Sequence, residues 1–299
     1  MTGHITVCDV GPRDGLQNES VTLDPATRAE LCDRLVGAGV RRLEAVSFVS
    51  PRHVPQMAGA EEVLAKAETR ERAVFAGLIV NERGYERAVD AGVDEVHYAF
   101  PVTDSFAARN QNSTVADSVE LARRLIGRAR EDGLGVAVTL GASFGCPFEG
   151  AVDPGRVREL AAQVHDAGPD EIVLADTIGV AVPRQIKPLV AALCELGARV
   201  GCHLHNTRNT GYANAMAAVE AGAVGLDASV GGIGGCPFAP NATGNIATED
   251  LVYALHGSGM ETGIELEGIC DCAAWLAEQL GKSLPGMVYR AGGFAPVAA

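Results

Sequence analysis

Apolar, strand-like runs alternate with helical stretches along this chain, and that alternation limits its fold more than any other feature. The runs begin at His4, Arg41, Arg72, Asp94, Gly135, Asp170, Ala198 and Gly225. The stretch PATRAELCDRLVGAG carries Pro25 in its first turn and stops at Gly39, as helices do. Several helices close on one device, DAG at Asp90–Gly92 and Asp166–Gly168 and EAG at Glu220–Gly222, where glycine supplies a left-handed cap before the next strand. Eight strand–helix units with short connections predict a closed α/β structure, the (β/α)8 TIM barrel, with a doubly wound open sheet as the alternative. The barrel is expected over about residues 4–260, with additional helix over about 261–285 packed outside it. There is no linker or low-complexity tract, so residues 1–299 read as one domain.

Charge and composition exclude several classes. A formal charge of −14 argues against nucleic acid or an anionic membrane as the main partner. An anionic substrate then needs a local positive device, a metal or a well-placed arginine. With 47% hydrophobic and 5% aromatic residues, the core is built from Ala, Val, Leu and Ile. The eight cysteines are scattered without a CxxC pair, the first residues lack the pattern of a signal peptide, and no apolar run is long enough to span a bilayer. A cytoplasmic protein with reduced thiols is expected.

The segment VGCHLHNT, Val200–Thr207, sets two histidines on one face of a strand. His203 and His205 form either half of a divalent-metal site or a hydrogen-bonded pair in a core. Active sites of such barrels lie at the C-terminal ends of the strands, and the other reactive residues fall there too. Arg13 and Asp14 follow strand one, Glu44 lies on strand two, and Asp176 ends strand six. Asp14 is either a turn residue before Gly15 or a carboxylate ligand, and Asn245 either a turn residue or a neutral amide ligand. Two imidazoles and a carboxylate suit Mg²⁺, Mn²⁺ or another divalent ion. Arg13 is either a solvent-facing ion-pair partner or a fork of donors for an oxyanion beside that ion. In GGIGGCPFAP, Gly231–Pro240, Cys236 is open to three readings: an acid or base on a closing loop, part of a phosphate-binding turn, or an inert thiol. Cys146 has no activating neighbour. His4, His53, His97, His165 and His256 are isolated and read as structural or surface residues.

Together these motifs resemble the hydroxymethylglutaryl-CoA lyase family, within the metal-dependent barrels that make or break carbon–carbon bonds beside an acyl-CoA. VGPRDGLQNE from Val10, LEAVSFVSPRHVPQM from Leu43, FGCPFEG from Phe144 and ADTIGV from Ala175 carry the resemblance, with CHLHNT from Cys202 and GGIGGCPFAPNATGNIATEDLVY from Gly231. The resemblance runs over nearly the whole chain, in order. It implies a metal held by Asp14, His203, His205 and Asn245, with Arg13 over the thioester carbonyl. It implies Cys236 as the catalytic cysteine, a base in Asp14 or His203, and Glu44 and Asp176 orienting groups around metal and substrate. Gln17, in the matched GLQNE, would contact the substrate. The implied activity cleaves 3-hydroxy-3-methylglutaryl-CoA, or a related 3-hydroxyacyl-CoA, to acetyl-CoA and acetoacetate or the corresponding keto product. A homodimer follows by family analogy and from the prevalence of two-fold assemblies.

The chain departs from the family pattern at Asn206, Ser20, Thr139 and Gly141, where Asp, a basic residue, Tyr and Ser are usual. The last two make the pocket smaller-sided and less polar and open the reading to a bulkier or differently substituted 3-hydroxyacyl-CoA. Two rivals stand beside the lyase: a synthase condensing acetyl-CoA with a 2-oxo acid, of the isopropylmalate or citramalate type, and a barrel that binds acyl-CoA without turnover.

Overall fold

Each of the eight runs forms a strand in the computed structural model, which describes residues 3–235 and 244–294. The strands are β1 (Thr6–Asp9), β2 (Arg42–Ser47), β3 (Val74–Ile79), β4 (Glu95–Pro101), β5 (Gly135–Gly141), β6 (Glu171–Asp176), β7 (Val200–Leu204) and β8 (Gly225–Ala228). Each pairs in parallel with the next, and β8 returns to β1 from Thr6–Gly225 to Asp9–Ala228, closing the barrel. Helices cover its outside, so the strands are buried on both faces and read as apolar runs instead of alternating ones. In β6, EIVLAD, every position is buried.

Between the strands run α1 (Pro25–Gly37), α2 (Ala60–Lys66), α3 (Glu82–Asp90), α4 (Asp104–Gln111), α5 (Val115–Asp132), α6 (Pro154–His165), α7 (Pro183–Glu195) and α8 (Gly211–Glu220). Local chemistry sets their ends. The Asp24 carboxylate accepts the Thr27 N–H at 2.8 Å to open α1, with Pro25 in the first turn. The expected caps Gly92, Gly168 and Gly222 all have left-handed backbone, φ 71°, 78° and 105°.

After β8, α9 (Thr248–Gly257) completes the eighth strand–helix unit, and beyond the barrel lie α10 (Leu266–Leu280) and α11 (Val288–Ala291). As expected, α10 packs outside, against α1: Glu265 N–H donates to Ala38 C=O at 2.8 Å, and the Arg34 guanidinium lies 4.7 Å from the Trp275 ring. A two-residue parallel pairing of Gly3–His4 with Met260–Glu261 ties the start of the chain to the segment after α9. No helix among the described residues is long and apolar enough to cross a membrane.

The barrel interior departs from the usual packing of branched apolar side chains. Arg42 on β2 pairs with both Glu95 on β4 and Glu171 on β6. Gly201 and Gly225 make room for this: a Cβ at either would fall 2.2 or 2.3 Å from Glu171 Oε1. Two residues further along the same strands, Glu44 and His97 face each other.

Candidate active site

A buried carboxylate shapes the connection after β1. Asp9 accepts the Gly11 N–H at 2.8 Å and the Thr248 hydroxyl at 2.6 Å, and so anchors a tight turn over Gly11–Gly15. Burial pushes the Asp9 carboxyl up to about 7 despite these bonds. The turn delivers Arg13 and Asp14 to the C-terminal mouth. Arg13 donates from Nε to Glu44 Oε2 at 2.7 Å and from Nη1 to Asp14 Oδ1 at 2.7 Å, so its fork is held on two sides. The other Asp14 oxygen accepts from Asn245 Nδ2 at 2.9 Å.

His203 at the end of β7 and His205 just beyond it point the same way, with Nε2 atoms 3.1 Å apart. Asp14 Oδ2 lies 4.0 Å from His203 Nε2. Asn245 forms a backbone bridge to His205, which brings its amide to the same place. One ligand atom from each of Asp14, His203 and His205 fits within 4.8 Å of the others, the spacing of a metal cluster.

The electrostatics of the cluster fit a divalent cation. Burial works against charge on Asp14, but Arg13 and the histidines outweigh it and hold the carboxyl at about 2. Burial and the neighbouring His203 push His205 down to about 4, leaving a neutral ring whose buried Nδ1 has no hydrogen-bond partner among the described residues. Burial disfavours a charge on His203 as well, yet the carboxylates of Asp227 and Asp14 on either side raise it. An anionic oxygen, neutral imidazole nitrogen and an amide, in a pocket that draws positive charge, are donors that magnesium or manganese accept.

Two further neighbours matter, one of them not singled out from the sequence. Asp227 on β8 places Oδ2 3.2 Å from His203 Nδ1, which fixes the ring and turns Nε2 toward Asp14 and His205. Its signal was only an Asp in the strand GLDASV. His97, read as structural or surface, is buried inside the barrel against Glu44.

Other expected residues stand apart. Asp176 uses both oxygens on its own loop, accepting Val180 N–H at 2.9 Å and Ala181 N–H at 3.0 Å. Gln17 is half-buried one turn beyond Asp14, with no side-chain hydrogen bond among the described residues. Asn206 builds its own turn by accepting the Gly211 N–H at 3.1 Å. Thr139 is half-buried on β5. Cys236 lies outside the described residues. The segments on either side of 236–243 are closely packed: a Cβ on Gly234, φ 113°, would sit 2.5 Å from Asn245 Nδ2, and one on Gly244 1.7 Å from Gly234 C=O.

A closed parallel barrel with a carboxylate, two imidazoles and a clamped arginine at its C-terminal mouth defines a class, the (β/α)8 barrel with a metal-competent centre. Comparison with known proteins narrows it. The chain belongs to the HMGL-like family, whose model matches residues 4–276. It is 48% identical to the (R)-citramalyl-CoA lyase of Chloroflexus aurantiacus, over 96% of this chain and 95% of that one. It is 40% identical to the hydroxymethylglutaryl-CoA lyase of Pseudomonas mevalonii, over 93% of each. The solved HMG-CoA lyase of Acinetobacter baumannii, in complex with coenzyme A and 3-methylmalate, superposes with a TM-score of 0.93 at 34% identity, covering 99% of this chain and 98% of that one. The chain is accordingly a carbon–carbon lyase acting on an acyl-CoA.

Proposed function

We propose that the chain cleaves a 3-hydroxy-3-methyl acyl-CoA bearing a distal carboxylate, giving acetyl-CoA and a keto acid. The observation that carries this reading is the convergence of Asp14, His203 and His205 beside the clamped Arg13. Asp14, His203, His205 and the Asn245 amide would hold magnesium or manganese, which when bound lowers the pKa of the substrate hydroxyl and neutralises its carboxylate.

Asp14, whose carboxylate keeps further lone pairs, takes the hydroxyl proton. The C2–C3 bond then breaks as the oxygen pair closes the new carbonyl, and the bonding pair moves to C2 and into the thioester. Arg13, oriented by Glu44, stabilises the enolate oxygen. Cys236 returns a proton to C2. Gln17 would contact the substrate, and Asp176 would orient groups around it from its loop. The nucleotide end of the substrate needs cations, and a cavity of about 660 Å³ lined by Ser50, Arg52, Asn81 and Arg83 offers them. Arg52 and Arg83 are exposed and pair with no carboxylate among the described residues.

Two substrates answer this description and differ by one methylene. 3-Hydroxy-3-methylglutaryl-CoA gives acetoacetate, and citramalyl-CoA gives pyruvate. The first follows from the motifs. The second is favoured by the 48% identity to the citramalyl-CoA lyase. Incubating the purified enzyme and Mn²⁺ with each thioester, and identifying the keto acid, separates the two; release of acetyl-CoA from neither would end the proposal. The reading includes a homodimer, to be checked by light scattering, and a cytoplasmic setting, in keeping with the seven described cysteines being free thiols.

A further inference from the structure

An alternating ladder of charge runs down the barrel interior, away from the metal cluster: Arg13, Glu44, His97, Glu95, Arg42, Glu171. Arg42 and Glu44 come from one face of β2, and Glu95 and His97 from one face of β4. His97 stands where the two strands' carboxylates would otherwise face each other. Its Nδ1 is 3.3 Å from Glu44 Oε1. Its Nε2 is 3.4 Å from Glu95 Oε1, within ion-pair range though not aligned as a hydrogen bond.

We propose that His97 is a positioning residue for the lyase reaction, acting through Glu44 on Arg13. This rests on the reading above, in which Arg13 stabilises the enolate. Glu44 is 2% exposed, and its two oxygens divide the work: Oε2 receives Arg13, while Oε1 faces His97 alone among the described residues. A buried carboxylate with one oxygen unpartnered is costly, and it relieves that cost by turning or by taking up a proton. Either response loosens the Arg13 fork, whose value lies in being held before charge develops on the thioester. Burial opposes a charge on His97, but Glu95 and Glu44 prevail and push the imidazolium up to about 10, so the ladder keeps alternating. His97 touches neither the metal cluster nor the barrel mouth, and its effect must pass through Glu44.

A double-mutant cycle tests this, with kcat and KM measured on the metal-loaded enzyme for His97→Leu, Glu44→Gln and the pair. His97→Leu should lower kcat by roughly 10-fold or more and leave KM within about 2-fold, as loss of a supporting partner does. The pair should lose no more than Glu44→Gln alone. His97→Gln, which can still donate to Glu44, should recover most of the kcat. If His97→Leu does not fold, the cycle is run with His97→Met, which likewise cannot donate to Glu44, and read the same way. Losses that multiply in the pair, or a folded His97→Leu enzyme with unchanged kcat, would overturn the role of His97. Absence of turnover by the unaltered enzyme would overturn the lyase reading and this role together.

Discussion

Asp227 does for His203 what Glu44 does for Arg13: each carboxylate fixes a functional group without occupying its working face. The 3.2 Å contact at Nδ1 leaves the other ring nitrogen of His203 free to donate its lone pair. Asp227→Asn should therefore weaken Mn²⁺ binding by about 10- to 100-fold in a titration, with the fold unchanged. Equal affinity would mean that the ring needs no carboxylate. Arg13 belongs to the transition state in the proposed reaction, so Arg13→Ala should lower kcat by about 10²- to 10³-fold and move KM little. A higher KM at normal kcat would assign it to substrate binding instead. Asp14, His203 and His205 were legible in the sequence because each stands at a strand's C-terminal end, where a barrel gathers its chemistry. Asp227 and His97 were not, because each acts through a partner on another strand, met when β7 pairs with β8 or when β2 and β4 face each other inside the barrel.

The turn after β1 depends on a carboxylate that burial keeps at about 7, well above its ordinary 3.8. Between those values the folded chain holds a proton that the unfolded chain has released. The stability Asp9 contributes is thus full below about pH 4 and lost as the pH rises through about 7. Asp9→Asn keeps both hydrogen bonds, since the Thr248 hydroxyl can accept as well as donate. Its advantage over the unaltered chain in urea unfolding should grow from about pH 5 to about pH 8. Parallel stabilities over that range would show that Asp9 is ionised when folded. The second anchor is Gly234, whose left-handed backbone lies against Asn245. Helix caps and strand order were readable from local residues, such as the DAG and EAG glycines. The close packing of Gly234 was not, because it also sets the loop after β8 against Asp14 and Gly15 of the turn after β1.

Across the whole molecule, barrel closure brings β1 beside β8 and so sets Asp14 next to Asn245, 231 positions apart. The same closure gives the interior its ladder of charge, while the segments that follow β2 and β3 put Arg52 and Arg83 on one cavity. Those arginines, if they receive the nucleotide end of the acyl-CoA, act at a distance from the chemistry. The Arg52→Ala/Arg83→Ala variant should raise KM, more so at low ionic strength, and leave kcat unchanged. An unaltered KM would place the phosphates elsewhere. The fold class was legible because strand and helix alternate along the chain, whereas Glu44, His97 and Arg42 looked unrelated until β2 and β4 faced one another. The most direct measurement follows acetyl-CoA release by the purified enzyme from 3-hydroxy-3-methylglutaryl-CoA and from (R)-citramalyl-CoA, with Mn²⁺, after chelation, and after Mn²⁺ is restored. Turnover of one of the two that chelation removes and Mn²⁺ returns is the predicted result. Turnover that survives complete chelation would contradict a reaction built on Asp14, His203 and His205.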